Sequence, residues 1–109
     1  MSAPQGFSDM PLEEVRSRIA RFADERDWRQ YHTPRNLLLA LVGEVGELSE
    51  IFQWRGEVAA GLPGFTDREL EHLGEEMSDV LLYLVRLADV CRVDLAAAVV
   101  DKLEKNARK

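Results

Sequence analysis

An all-α domain, built as an antiparallel four-helix bundle, is predicted by three observations. Four segments carry apolar residues at helical spacing, each begins with a recognisable start signal, and no stretch alternates as a strand would. The first helix opens near Pro11, a favourable first-turn residue, and carries Leu12, Val15, Ile19 and Phe22 to about Asp27. Thr33-Pro34 supplies an N-cap and a first-turn proline for a long second helix ending near Trp54. Gly56, Gly61, Pro63 and Gly64 mark a loop. Thr66, with Glu69 three residues on, has the pattern of a capping box and opens a third helix to about Cys91. Asp94 caps a fourth, rich in alanine and valine, that runs into the basic end Lys102 to Lys109.

With 109 residues the chain is expected to form one domain with a modest core, a size that benefits from self-association. The formal charge of -6 argues against a module that holds a nucleic-acid polymer on a basic face. It leaves nucleotides open, because a bound cation reverses the local sign. Cys91 is the only cysteine, which suits a reducing cytoplasm. Met1 to Asp9 lacks the basic-then-apolar pattern of a secretory leader, and no apolar run approaches roughly 18 residues. A cytoplasmic protein without a membrane span is expected.

The middle helices are greasier than one bundle seam requires. On the third, Leu73, Met77, Val80, Leu84 and Leu87 form a core stripe that Leu81, Val85 and Ala88 widen, with Leu82 further round. The second has Leu37 to Leu39 followed by Leu41 and Val42. An apolar surface this wide calls for a cover, and a second subunit is the expected one.

Two acidic motifs interrupt this grease: Glu44-Val45-Gly46-Glu47 and Glu76-Met77-Ser78-Asp79. Each sets two carboxylates three residues apart, on nearly the same helix face. At about 100° per residue, the main stripe of the second helix is Leu41, Val45, Leu48 and Phe52, with Glu44 at its edge beside Leu37 and Ile51. Glu76 and Asp79 border the stripe of the third helix, one turn before Tyr83. Antiparallel packing would bring the four acids together, and clustered carboxylates need a compensating cation. Oxygen-only ligands favour Mg²⁺, or Mn²⁺, over iron or zinc. Gly43 and Gly46 flank Glu44 and suggest close approach of a helix or ligand. A single E-x-x-E is common on charged helices, so the pairing of two motifs carries the argument. Glu69 and His72 have the E-x-x-H spacing of di-iron bundles, but those sites need two such pairs.

With these residues in view, the chain resembles the MazG-like superfamily of all-α nucleoside triphosphate pyrophosphatases, and most nearly its dCTP pyrophosphatase branch. The resemblance runs from about Leu12 to Arg108. It is carried by F-A-D-E-R-D-W (Phe22 to Trp28), P-R-N-L-L-L-A-L-V-G-E-V-G-E-L (Pro34 to Leu48) and F-Q-W (Phe52 to Trp54). E-E-M-S-D-V-L-L-Y-L (Glu75 to Leu84), V-D-L (Val93 to Leu95) and K-x-x-x-N (Lys102 to Asn106) extend it. The family's E-x-x-E and E-x-x-D fall on Glu44, Glu47, Glu76 and Asp79, which the resemblance implies are metal ligands and catalytic acids. It implies nucleotide contacts at Trp28, Arg29, Gln30, Tyr31, His32, Trp54 and Tyr83, and phosphate contacts at Lys102 and Asn106. Tryptophans at helix ends are equally ordinary packing residues, and a basic last turn equally complements the helix dipole. Ile19 departs from the pattern, standing where the nearest members carry a substrate-facing histidine.

The function so implied is a Mg²⁺-dependent hydrolase that cuts a (deoxy)nucleoside triphosphate, with dCTP or a modified dCTP first, to the monophosphate and pyrophosphate. It would clear unwanted nucleotides as a homo-oligomer, dimer or tetramer, with the tetramer favoured by the resemblance. The alternative is a non-catalytic helical interaction module, its acids serving solubility and its apolar faces a partner.

Overall fold

The computed structural model describes residues 6–109; residues 1–5, part of the segment read for a leader, lie outside the described residues. Four helices occur in the predicted order, α1 (Leu12–Glu25), α2 (Pro34–Gln53), α3 (Asp67–Val90) and α4 (Leu95–Ala107), with no strand among the described residues. None of these helices is long and apolar enough to cross a membrane.

The helix starts are local devices, and the sequence names them. Thr33 accepts from the Asn36 N–H, with Pro34 in the first turn. Thr66 and Glu69 complete a reciprocal capping box, and Asp94 accepts from the Ala97 N–H. The ends of α1 and α3 are less legible. Both close as Schellman turns on non-glycine residues at positive φ, Asp27 (54°) and Arg92 (59°). In the first, the Trp28 N–H returns to the Ala23 carbonyl at 2.9 Å; in the second, Val93 returns to Ala88 at 2.9 Å. The first turn folds Trp28 back against Phe22, with ring centroids 5.3 Å apart.

α2 packs antiparallel along α3, and α1 lies against the C-terminal half of α3. The core they enclose is small: Val15 and Ala23 from α1, Leu37 from α2, Leu73 and Val85 from α3. Of the stripe expected at the centre of α3, Leu73 is buried and Val80 and Leu87 are half-buried, whereas Met77 (50%) and Leu84 (39%) are exposed. On α2 the inward line runs through Leu37, Glu44 and Ile51, while Val45 is turned out. Glu44 and Glu76 therefore face along the helix–helix seam instead of bordering it. The cause is the composition of the seam, which accommodates carboxylates where a bundle would place leucines.

α4 buries no residue and makes no extensive contact with the other helices. Its Val99, Val100 and Leu103 are exposed, as are Leu38, Leu39 and Val42 on α2. The radius of gyration, 16.3 Å, exceeds the about 13 Å of a compact chain near this length. Within one chain the four helices thus form a three-helix core with an outlying fourth.

Candidate active site

Glu44 and Glu47 sit on consecutive turns of α2, and Glu76 faces them from α3. The three carboxylates each place an oxygen within 4.8 Å of the other two. Oε2 of Glu44 and Oε2 of Glu76 are buried with no hydrogen-bond partner. Orphaned carboxylate oxygens facing one another are costly. Burial first, and then the charges of Glu47 and Asp79, push Glu44 above its ordinary value near 4.5. Glu76 is raised by burial and then by Glu47, against a smaller opposing effect of His72. Asp79 stands outside the trio but near enough for its charge to act on both. This oxygen-only, anion-rich donor set fits a hard divalent cation. Glu44, Glu47 and Glu76 are positioned to hold it, with Asp79 beside them.

A cleft opens on each side of the acids. The first, about 690 Å³, is lined by Glu47, Trp54, Arg55, Arg68, His72 and Glu76 among others. Arg55 is anchored to Glu69 and lies over the Phe65 ring, 4.2 Å from its centroid. Glu69 is committed to the Thr66 N–H and to Arg55, which hold its carboxyl below the usual range. It does not join His72 in an iron site. His72 is exposed, with Nε2 3.9 Å from Glu76 Oε1, so it reaches the rim of the acid cluster.

The second cleft, about 410 Å³, is mostly apolar and reaches Asp79. Ile19, Phe22, Trp28, Leu37, Leu82 and Tyr83 contribute to its wall, with Arg18, His32 and Arg86 as polar members. Trp28 and His32 are the residues of the Trp28–His32 segment that the fold brings to it. Arg29 instead pairs with Asp24, Gln30 donates to the Asp27 carbonyl, and Tyr31 is exposed. Lys102 and Asn106, on the outlying α4, line neither cleft. Gly43 and Gly46 approach nothing within the chain, because a Cβ on either would meet no atom within 4 Å.

Sequence reasoning missed Arg86, which is 6% exposed, and its partners. Its Nε donates to His32 Nδ1 at 2.9 Å. Its Nη1 lies 3.4 Å from Asp89, which also meets Arg16 of α1 at 3.4 Å. The available signal was an arginine inside the apolar run Val80 to Val90, where a buried charge needs partners.

A family model described as the MazG nucleotide pyrophosphohydrolase domain matches residues 32–109. Human (Homo sapiens) dCTP pyrophosphatase 1 is 56% identical over 111 residues, covering 99% of this chain and 65% of that protein. Its counterpart from Bos taurus is 54% identical, with 99% and 64% covered. The chain thus spans slightly less than two thirds of the length of these curated relatives. A crystal structure of a pyrophosphatase from Archaeoglobus fulgidus matches with a TM-score of 0.72 at 37% identity, covering 96% of each chain. With its paired acids on two packed helices, this chain belongs to the MazG nucleotide pyrophosphohydrolase domain family.

Proposed function

We propose that the protein is a divalent-metal-dependent nucleotide pyrophosphohydrolase that converts a deoxynucleoside triphosphate, dCTP or a modified dCTP first, to the monophosphate and pyrophosphate. The observation that carries this reading is the pair of orphaned carboxylate oxygens, on Glu44 and Glu76, between two clefts of opposite character. A bound divalent cation, Mg²⁺ by preference with Mn²⁺ as substitute, supplies charge neutralisation and polarisation of the α-phosphoryl group. Glu44, Glu47 and Glu76, with Asp79 beside them, would hold the cation. Glu47, the exposed member of the trio, also has access to water and would orient the attacking molecule. Arg55 and Arg68 give the polar cleft cationic groups suited to phosphates, and Trp54 borders them. Trp28 and Tyr83 offer a nucleoside the flat apolar faces it prefers.

Self-association completes the proposal. The exposed apolar side chains of α2 and α4 are the surfaces a second copy would cover, in a dimer or a tetramer. Lys102 and Asn106 would then reach phosphate across the interface. Cys91, an exposed free thiol, fits a reducing cytoplasm.

The test is direct. Incubated with Mg²⁺ and a nucleotide panel, the protein is expected to yield pyrophosphate and a monophosphate, resolved by phosphorus NMR and abolished by chelator. Release of orthophosphate, or no release with any nucleotide, would refute it.

A further inference from the structure

Among the polar groups of the apolar cleft that the reaction above leaves unused, Arg86 is the buried one. Arg86 is 6% exposed on a wall otherwise rich in apolar side chains. A guanidinium so far from water is costly unless its N–H groups find acceptors. Nε has His32 Nδ1 at 2.9 Å, and Nη1 has Asp89 Oδ2 at 3.4 Å. Nη2 has no hydrogen-bond partner among the described residues. Yet the side-chain atoms buried without a partner are Glu44 Oε2 and Glu76 Oε2, so Nη2 is not sealed off. The void beside Arg86 is the cleft that it lines. Burial and the adjacent guanidinium hold His32 below its ordinary value near 6.5, so its Nδ1 serves as a neutral acceptor and steadies the fork.

Asp79 lies at the same cleft, so a nucleotide with its phosphates at the acids places its base among these residues. A guanidinium only donates, and therefore distinguishes bases by where their acceptors stand: an exocyclic carbonyl oxygen reaches further out than the ring nitrogens that are adenine's acceptors. Cytosine, thymine, uracil and guanine each bear a ring carbonyl oxygen, whereas adenine bears none. Resting on the pyrophosphohydrolase reading, we propose that Arg86 determines base specificity, its Nη2 donating to a ring carbonyl oxygen of the substrate while His32 and Asp89 fix the guanidinium.

Steady-state kinetics with dCTP and dATP, in Mg²⁺, tests this. In the wild type kcat/KM favours dCTP. Arg86→Met is expected to lower the dCTP-to-dATP ratio about 10- to 100-fold, chiefly through the KM for dCTP and with little change for dATP. Arg86→Lys, which keeps the charge but loses the planar fork, falls between. Arg16→Ala cuts the ion pair to α1, leaves Arg86 and His32 in place, and keeps the wild-type ratio. If circular dichroism finds Arg86→Met unfolded, Arg86→Lys decides. Equal losses for both substrates, or an unchanged ratio in the folded Arg86 variants, would overturn the assignment. A wild type that turns over no nucleotide would defeat the pyrophosphohydrolase reading instead. Calorimetric binding of dCMP and dAMP then tests Arg86 separately, and equal affinities would reject it.

Discussion

The two clefts flanking the acids share the helices α2 and α3 but are built from opposite materials. The wider one takes the C-terminal half of α2, the following loop and the first half of α3, and is lined with charge. The narrower takes α1, the start of α2 and the second half of α3, and is lined with rings and aliphatic groups. Glu47 and Glu76 belong to the first and Asp79 to the second, so the acids bridge them. A triphosphate has the same asymmetry, with a hydrophilic anionic tail and a flat, weakly polar head. In the proposed reading the charged cleft, with a cation at the acids, takes the tail and the apolar cleft the head, so that the bond to be cut would lie between them.

Breaking the bridge is expected to have the largest effect. Glu47→Gln should lower kcat by about 100-fold or more while the helical circular dichroism stays unchanged; retained turnover in this variant would show that the acid is idle. The apolar side should respond differently. Trp28→Ala is expected to raise KM about 10-fold through lost stacking and to leave kcat nearly intact, whereas an equal fall in kcat would place Trp28 with the chemistry.

How much of this contrast was legible depended on the range of the interactions. Thr33, Thr66 and Asp94 act over three residues, so the sequence announces the helix starts. The paired acids were conspicuous because a charge inside an apolar run needs a reason. Asp27 and Arg92 end their helices in a conformation that usually favours glycine, and no local signal marked them. Helical lines put Glu44 and Glu76 at stripe edges, since period alone cannot say which line a neighbouring helix will occupy. Arg86 and His32 meet across 54 positions, and no motif spans that distance. The outlying position of α4 was equally hidden, because an amphipathic helix does not name the surface that will cover it.

The acid cluster should also reverse the usual link between stability and function. A carboxyl whose folded pKa lies above its unfolded value, as for Glu44, costs stability as pH rises from near 4.5 through the folded value. Above that value the loss is complete. In chelator at pH 8, Glu44→Gln is therefore expected to melt at a higher temperature than the wild type, with the difference closing near pH 4.5. Mg²⁺ should raise the wild-type Tm at pH 8 and leave that of Glu44→Gln almost unmoved. A lower Tm for the variant at pH 8 in chelator would mean that the carboxylate is stabilised by something other than a cation.

The smallest expected effect concerns the outer face of α2. Gly43 meets no atom within the chain, so Gly43→Ala should stabilise an isolated copy by about 1 kcal/mol. If the proposed assembly seats a helix there, the same change will weaken association, seen as a lower mass in light scattering at micromolar concentration. Unchanged mass with a higher Tm would put the subunit contact elsewhere.

Titration with Mn²⁺, followed by the paramagnetic resonance of the free aqueous ion, reaches the acid cluster without requiring turnover. The wild type is expected to remove the free-ion signal stoichiometrically, and Glu76→Gln, with its helical spectrum intact, to leave most of it. Equal sequestration by the folded variant would contradict the assignment of Glu44, Glu47 and Glu76 as the cation's holders.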